Sequence, residues 1–171
     1  SAIIVECLGA DAIVLSGGFV SKAPLYIMRG EINPRIMAYH IKNIALKTLL
    51  RWFGYQLMKP LPFTEGYFLE EAGKFKKEVK IPCIVVGGLN SMATIQKALT
   101  MGFDGIAMAR ALIQNPHFVN DLRDQIIQKS GCTICNYCVA VMYTGQMSCY
   151  MNDPTAPEEL IRTAEKIHYG S

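Results

Sequence analysis

Apolar positions along this chain gather into three short continuous runs, set between longer stretches of helical period. The runs are Ala12–Leu15, Ile81–Val86 and Gly105–Met108, and none contains a charge. A short uninterrupted apolar run fits a parallel strand covered on both faces. The first and third runs sit in near-copies, Gly9-Ala-Asp-Ala-Ile-Val-Leu-Ser16 and Gly102-Phe-Asp-Gly-Ile-Ala-Met-Ala109, each after a stretch that reads as a helix. Repeated helix, Gly-x-Asp and strand units predict a parallel βα architecture. Such folds place ligands at the carboxyl ends of their strands. Here those ends carry small residues: Ser16-Gly17-Gly18, Gly87-Gly88 and Ala109-Arg110.

The helical stretches follow from period and punctuation. Residues 3–9 read as the end of a helix stopped by Gly9, and residues 19–34, with Pro24, Gly30 and Pro34, read as irregular. Residues 35–58 predict one long helix. At about 100° per residue, Ile41, Ala45, Leu49, Leu50, Trp52, Phe53 and Leu57 share one broad arc opposite Asn43, Lys47 and Arg51. Lys42 sits awkwardly inside that arc. Two readings stand: the helix packs on a core, or it lies on a membrane or partner, where Trp52, Arg51 and Lys59 suit a headgroup region. Pro60 and Pro62 end the pattern. Residues 66–79 predict a helix with Phe68, Leu69, Ala72, Phe75 and Val79 inward. A helix from about Met92 to Met101 is capped by Ser91 and closed by Gly102. Asn115-Pro116 starts another, with Phe118, Leu122 and Ile126 as its buried stripe, and a last helix covers roughly 157–167.

Composition narrows the class. With 171 residues and 51% apolar positions the chain can build a core, and one domain is the default. A net charge of +3 does not by itself imply nucleic acid. No apolar run reaches the roughly 18 residues of a membrane span. Ser1-Ala2-Ile3 carries neither Met nor a basic signal region, and reads as an internal start. A core this rich with six cysteines points to thiols or metal ligation in a reducing cytoplasm, not a disulfide scaffold; Cys7 and Cys83 read as core thiols. Three parallel strands leave two open edges, so self-association, or the long helix folded across them, is expected.

The run from Gly87-Gly88 through a helix to Gly102-Phe-Asp-Gly-Ile-Ala-Met-Ala-Arg-Ala-Leu-Ile-Gln-Asn-Pro116 resembles the flavin-phosphate end of the Old Yellow Enzyme family. These are NADH:flavin oxidoreductases, related also to 2,4-dienoyl-CoA reductase. Cys132-Thr-Ile-Cys-Asn-Tyr-Cys138 resembles the cysteine-rich stretch after the barrel in many members, and Ser16-Gly17-Gly18 the end of the sixth strand. The resemblance implies an α/β fold, the C-terminal part of a TIM (β/α)8 barrel, with strands six to eight only. Residues 1–129 would be the partial barrel, and 130–171 a Cys-rich segment with a C-terminal helix. It implies FMN as cofactor, NAD(P)H as hydride donor and an electron-poor alkene as acceptor. The family's paired His/Asn or His/His and its proton-donating Tyr lie in earlier strands. His40, His117 and His168 are scattered and form no such pair. This segment is therefore expected to anchor FMN without transferring the proton, and to be inactive alone.

The site implied for FMN is Ser16, Gly17, Gly87, Gly88, Ala109 and Arg110. Backbone N–H groups unshielded by Cβ atoms suit a phosphate, and Arg110 adds a fixed cation with paired donors. The plain alternative is that the glycines only permit tight strand-to-helix turns. The family usually has Gly where Ala109 stands; Ala keeps the N–H but narrows the approach. Lys22 and Arg29 lie in the loop beyond, where they could meet substrate but read first as solvated surface charge. Cys132, Cys135, Cys138 and Cys149 form a second constellation, C-x2-C-x2-C-x10-C, one residue short in two gaps of the family's cluster-bearing pattern. Iron–sulfur, zinc and free structural thiols all remain open for them. A phosphate-binding βα-barrel segment without redox chemistry and a Cys-metal interaction module are the rival readings. No nucleic-acid or membrane partner is expected.

Overall fold

Placing the three apolar runs side by side gives one parallel sheet in the computed structural model. It describes residues 2–16, 29–30, 33–39, 41–57, 61–142 and 147–169, with side chains through 166. Gly17, Gly18, Lys22, Pro24, His40, Lys59 and Pro60, and the side chain of His168, lie outside what is described. Strands β1 (Ile13–Leu15), β2 (Cys83–Val86) and β3 (Gly105–Ala107) run in the order β1-β2-β3. Both pairings are parallel, as the repeat predicts; Leu15 stands opposite Val85, and Val86 opposite Ala107. Among the described residues the architecture is mixed α/β, with this small sheet and helices around it.

The helices are α1 (Ala2–Cys7), α2 (Pro34–Tyr39), α3 (Ile44–Leu57), α4 (Leu69–Lys76), α5 (Met92–Thr100), α6 (Arg110–Gln114), α7 (Phe118–Arg123), α8 (Tyr137–Val141) and α9 (Glu158–Tyr169). Local signals placed several of them. Ser91 Oγ accepts from the Thr94 N–H at 3.3 Å while Thr94 Oγ1 accepts from the Ser91 N–H, so α5 starts with a reciprocal cap. Gly9 and Gly102 follow α1 and α5 at the same φ of 87°.

The expected helix over 35–58 is two helices. Asn43 Oδ1 accepts the Leu46 N–H at 3.1 Å, which caps a fresh start at Ile44. The awkward Lys42 thereby falls outside α3. That helix packs chiefly on α2 and does not serve as a lid over the sheet edges. Asn115 Oδ1 accepts the His117 N–H at 2.9 Å, so the turn at Asn115-Pro116 delays α7 to Phe118. The stripe ends at Leu122: α7 stops at Arg123, Gln125 turns to φ 58°, and Ile126 is exposed. Phe75 and Cys7 are likewise exposed, not core residues.

The repeated aspartates diverge in role. Asp104 Oδ2 accepts from Lys76 Nζ at 2.7 Å and from the Cys83 N–H at 2.8 Å, tying α4, β2 and β3 together. Asp11 is exposed, and its repeat unit joins β2 through the Ile13 N–H on the Pro82 carbonyl. The Lys76 hydrogen bond, then the Cys83 N–H, holds the Asp104 carboxyl below its ordinary 3.8. Its stabilisation is thus complete above that value and disappears as pH falls through the lowered one. Asp104→Asn is expected to lower the melting temperature at neutral pH, with the two melting curves converging in acid. A gap that persists unchanged at a pH of about 2 would show that the charge is not what matters.

Three clusters fill the interior. Leu15, Phe68, Leu69, Val79, Val85 and Phe103 form the sheet's core. Ile36 of α2 joins Tyr137, Val141, Tyr150, Leu160 and Ala164 in a second. Phe118 and Leu122 of α7 join Ala111 of α6 in a third.

Candidate functional site

Because β2 and β3 are neighbours in parallel, Gly87-Gly88 and Met108-Ala109-Arg110 leave the sheet side by side. A cavity of about 440 Å³ opens there, lined by Gly87, Gly88, Ala109 and Arg110 and walled by Met37, Tyr67, Met108, Ile113, Val139, Met142 and Met147. Four of the six sequence-predicted positions thus meet in one place. Ser16 follows β1 at the same end of the sheet but is exposed and does not line the cavity. Gly17 is outside the described residues.

The backbone at the floor is held by close packing. Gly87 has φ 149°, and a Cβ there would lie 2.8 Å from the Phe68 Cβ. Gly88 has φ 68°, and its Cβ would lie 2.9 Å from the Tyr67 ring. These glycines therefore satisfy the plain reading of a tight turn. They also do more: the N–H groups of Gly88 and Ala109, which lie outside every strand and helix, make no hydrogen bond to another described residue. Two backbone donors without protein acceptors at one apolar cavity suit an anionic group.

Arg110 stands at the rim. Its Nη1 donates to the Arg29 carbonyl at 2.8 Å and to Asn136 Oδ1 at 2.9 Å, and its guanidinium lies 5.6 Å from the Phe63 ring centroid. No described residue accepts from its Nε or Nη2, so the guanidinium keeps donors for a ligand. Arg29 is no solvated charge: its guanidinium lies 4.3 Å over the Tyr67 ring.

Cys132, Cys135, Cys138 and Cys149 all line one small void of about 20 Å³ beside Arg110, Asn136 and Tyr150. Cys138 lines the large cavity as well. Burial pushes the Cys138 thiol up to about 11, helped by the neighbouring thiols, and also raises Cys132 and Cys149. These three are protonated at neutral pH. Among the described residues no group of three or more His, Cys, Asp or Glu is arranged to hold a metal ion. His117 is exposed, as expected of a helix-end residue.

Two participants escaped the sequence reading. Tyr67 packs under Gly88 and faces the cavity. Asn136 orients Arg110 from φ 59°, and an Asn inside the Cys-rich run was its only signal, since Asn tolerates the left-handed region.

The chain is 32% identical over 163 residues to 4,4'-dithiodibutanoate disulfide reductase of Rhodococcus erythropolis, covering 91% of this chain and 38% of that protein. It is related to a redox enzyme. It is also 29% identical over 92 residues to the imidazole glycerol phosphate synthase subunit HisF of Azobacteroides pseudotrichonymphae, 53% of this chain and 35% of that protein. The HisF of Bacteroides fragilis gives 29% over 86 residues, 50% of this chain and 33% of that protein. The chain spans well under half the length of each of these relatives. No family model matches it, and no solved structure does.

Proposed function

We propose that this chain is the phosphate-anchoring part of an FMN-dependent oxidoreductase of the Old Yellow Enzyme type, built on the last strands of a βα barrel. The observation that carries the reading is the meeting of Gly87, Gly88, Ala109 and Arg110 on one apolar cavity, with unpartnered N–H donors at Gly88 and Ala109. The cavity of about 440 Å³ falls within the roughly 300–1,000 Å³ usual for cofactor sites, so the residues present fit a planar group with a phosphate tail. Exposed Val14 in β1, with Ile4 in α1 and Leu8 just after it, supports the barrel, whose strands are normally covered on both faces.

When bound, FMN supplies hydride acceptance from NAD(P)H and delivery to an acceptor. The chain's own residues bind and orient. The Gly88 and Ala109 N–H groups and the Arg110 guanidinium would hold the phosphate, on the turn that Gly87 permits. Met108, Ile113 and Met142 exclude water from the adjoining space. Asn136 keeps Arg110 in place through Oδ1. Cys132, Cys135, Cys138 and Cys149 act as packed thiols under that arginine. The acceptor is an electron-poor alkene, as the resemblance suggests, or a disulfide, as the name of the Rhodococcus relative suggests.

A second reading has its own support. The HisF relatives belong to an enzyme named for imidazole glycerol phosphate, and the same N–H cradle would serve a phosphate ester without flavin. One experiment separates the two. The full-length protein is purified, desalted and scanned for flavin absorbance, then titrated with FMN and with a sugar phosphate. The flavin reading expects a yellow protein, with Arg110→Ala weakening FMN retention by about 1.5–3 kcal/mol, the scale of a charge-assisted hydrogen bond. A colourless protein that cannot be reconstituted with FMN but binds the phosphate ester overturns it in favour of the second.

A further inference from the structure

Helix α3 is mounted backwards for a surface helix of a globular protein. At about 100° per residue, Trp52, Leu49, Phe53, Leu46, Leu57 and Leu50 span a continuous arc of about 160°, interrupted only by Gln56. A surface helix normally turns such an arc to the core. Here Trp52 is 78% exposed, Leu57 62% and Phe53 52%, while Leu46 and Leu49 are also open. The side that meets the protein is the polar one. Gly54 is the helix's buried residue, Lys47 Nζ donates to the Tyr39 carbonyl at 3.1 Å, and Arg51 pairs with Glu159 of α9 at 3.4 Å. The helix is thus anchored by its polar face and presents its apolar face outward.

Charge says what that face can meet. Residues 32–64 contain Arg35, Lys42, Lys47, Arg51 and Lys59 and no Asp or Glu. The rest of the chain holds more carboxylates than cations, although the whole is net +3. A second copy seated face to face would set two such segments, neither with a carboxylate of its own, against one another. An anionic lipid surface answers both features. Its acyl boundary takes the apolar arc, and its headgroups take the flanking cations. No described helix is long and apolar enough to cross a membrane, so α3 would lie in the interface. We propose that α3 docks the protein on an anionic membrane surface, apolar arc inward, with the exposed Lys42 at the headgroups.

The test is flotation of the full-length protein with phosphatidylcholine vesicles and with vesicles containing phosphatidylglycerol. The protein is expected to float with the anionic vesicles and to be released in part by high salt. Leu49→Glu with Phe53→Glu should lower the bound fraction at least tenfold. Lys42→Glu should lower it several-fold on anionic vesicles. The replaced apolar side chains are already exposed, so these variants should melt like the wild type, which thermal unfolding checks. A wild-type protein that floats with neither vesicle overturns the proposal. A concentration-dependent dimer dissolved by Leu49→Glu would then give the face to a second copy, and a monomer would give it to another part of the protein.

Discussion

Phe118→Ala should destabilise the protein by about 3–5 kcal/mol, the cost of emptying a fully buried aromatic site. Phe118 is 0% exposed and is the largest side chain of the cluster that joins α7 to Ala111 of α6. Met92, Ile95 and Met108 pack around that cluster, so it supports both the start of α5 and the segment after β3. Collapse around the void would therefore shift Arg110, which opens α6. The expected result is a lower urea midpoint and, in the same variant, weaker retention of FMN than stability alone requires. Chemical denaturation with and without added FMN measures both. A loss below about 1 kcal/mol would mean that α7 does not hold the site in place.

Gly87→Val should have the second large effect. The backbone there sits at φ 149°, a region that costs a non-Gly residue about 1–3 kcal/mol. The new Cβ would also stand 2.8 Å from the Phe68 Cβ, and both atoms are fixed to their backbones. Overpacking of that kind adds about 1–3 kcal/mol. Gly102→Ala is the comparison: it too has positive φ, but a Cβ there meets nothing within 4 Å. Gly87→Val should lose about 2–5 kcal/mol and its ligand affinity with it, whereas Gly102→Ala should lose the conformational part alone, about 1–2 kcal/mol. Equal losses in the two, read from urea midpoints, would show that strain and not the close approach to Phe68 governs the turn.

Much of the frame was legible because its signals are local. An uncharged apolar run between helical stretches reads as a parallel strand, and β1, β2 and β3 lie where the runs do. Ser91 announces α5 because its hydroxyl sits three residues from the N–H it caps. Gly87, Gly88, Ala109 and Arg110 could be nominated together because parallel strands bring their carboxyl ends to one edge. Short helices were not legible. Residues of α6 and α8 number five each, too few to show a period. The break at Asn43 was hidden inside a continuous apolar pattern, since a cap residue looks the same on the polar face of a longer helix.

By itself, then, the sequence determined which segments are strands, where most helices begin or end, and that α3 has one apolar and one polar side. Only the tertiary structure decided which side of α3 faces the protein, because period reports a difference between faces and not the position of neighbours. It likewise decided that Asp104 clamps β2 while its repeat partner Asp11 stays in water, since the clamp depends on Lys76 and the Cys83 N–H arriving from other elements. It gathered four cysteines around one void, and it oriented Arg110 through Asn136 and the Arg29 carbonyl. Those contacts join residues far apart in the chain, and no local preference of either partner encodes them.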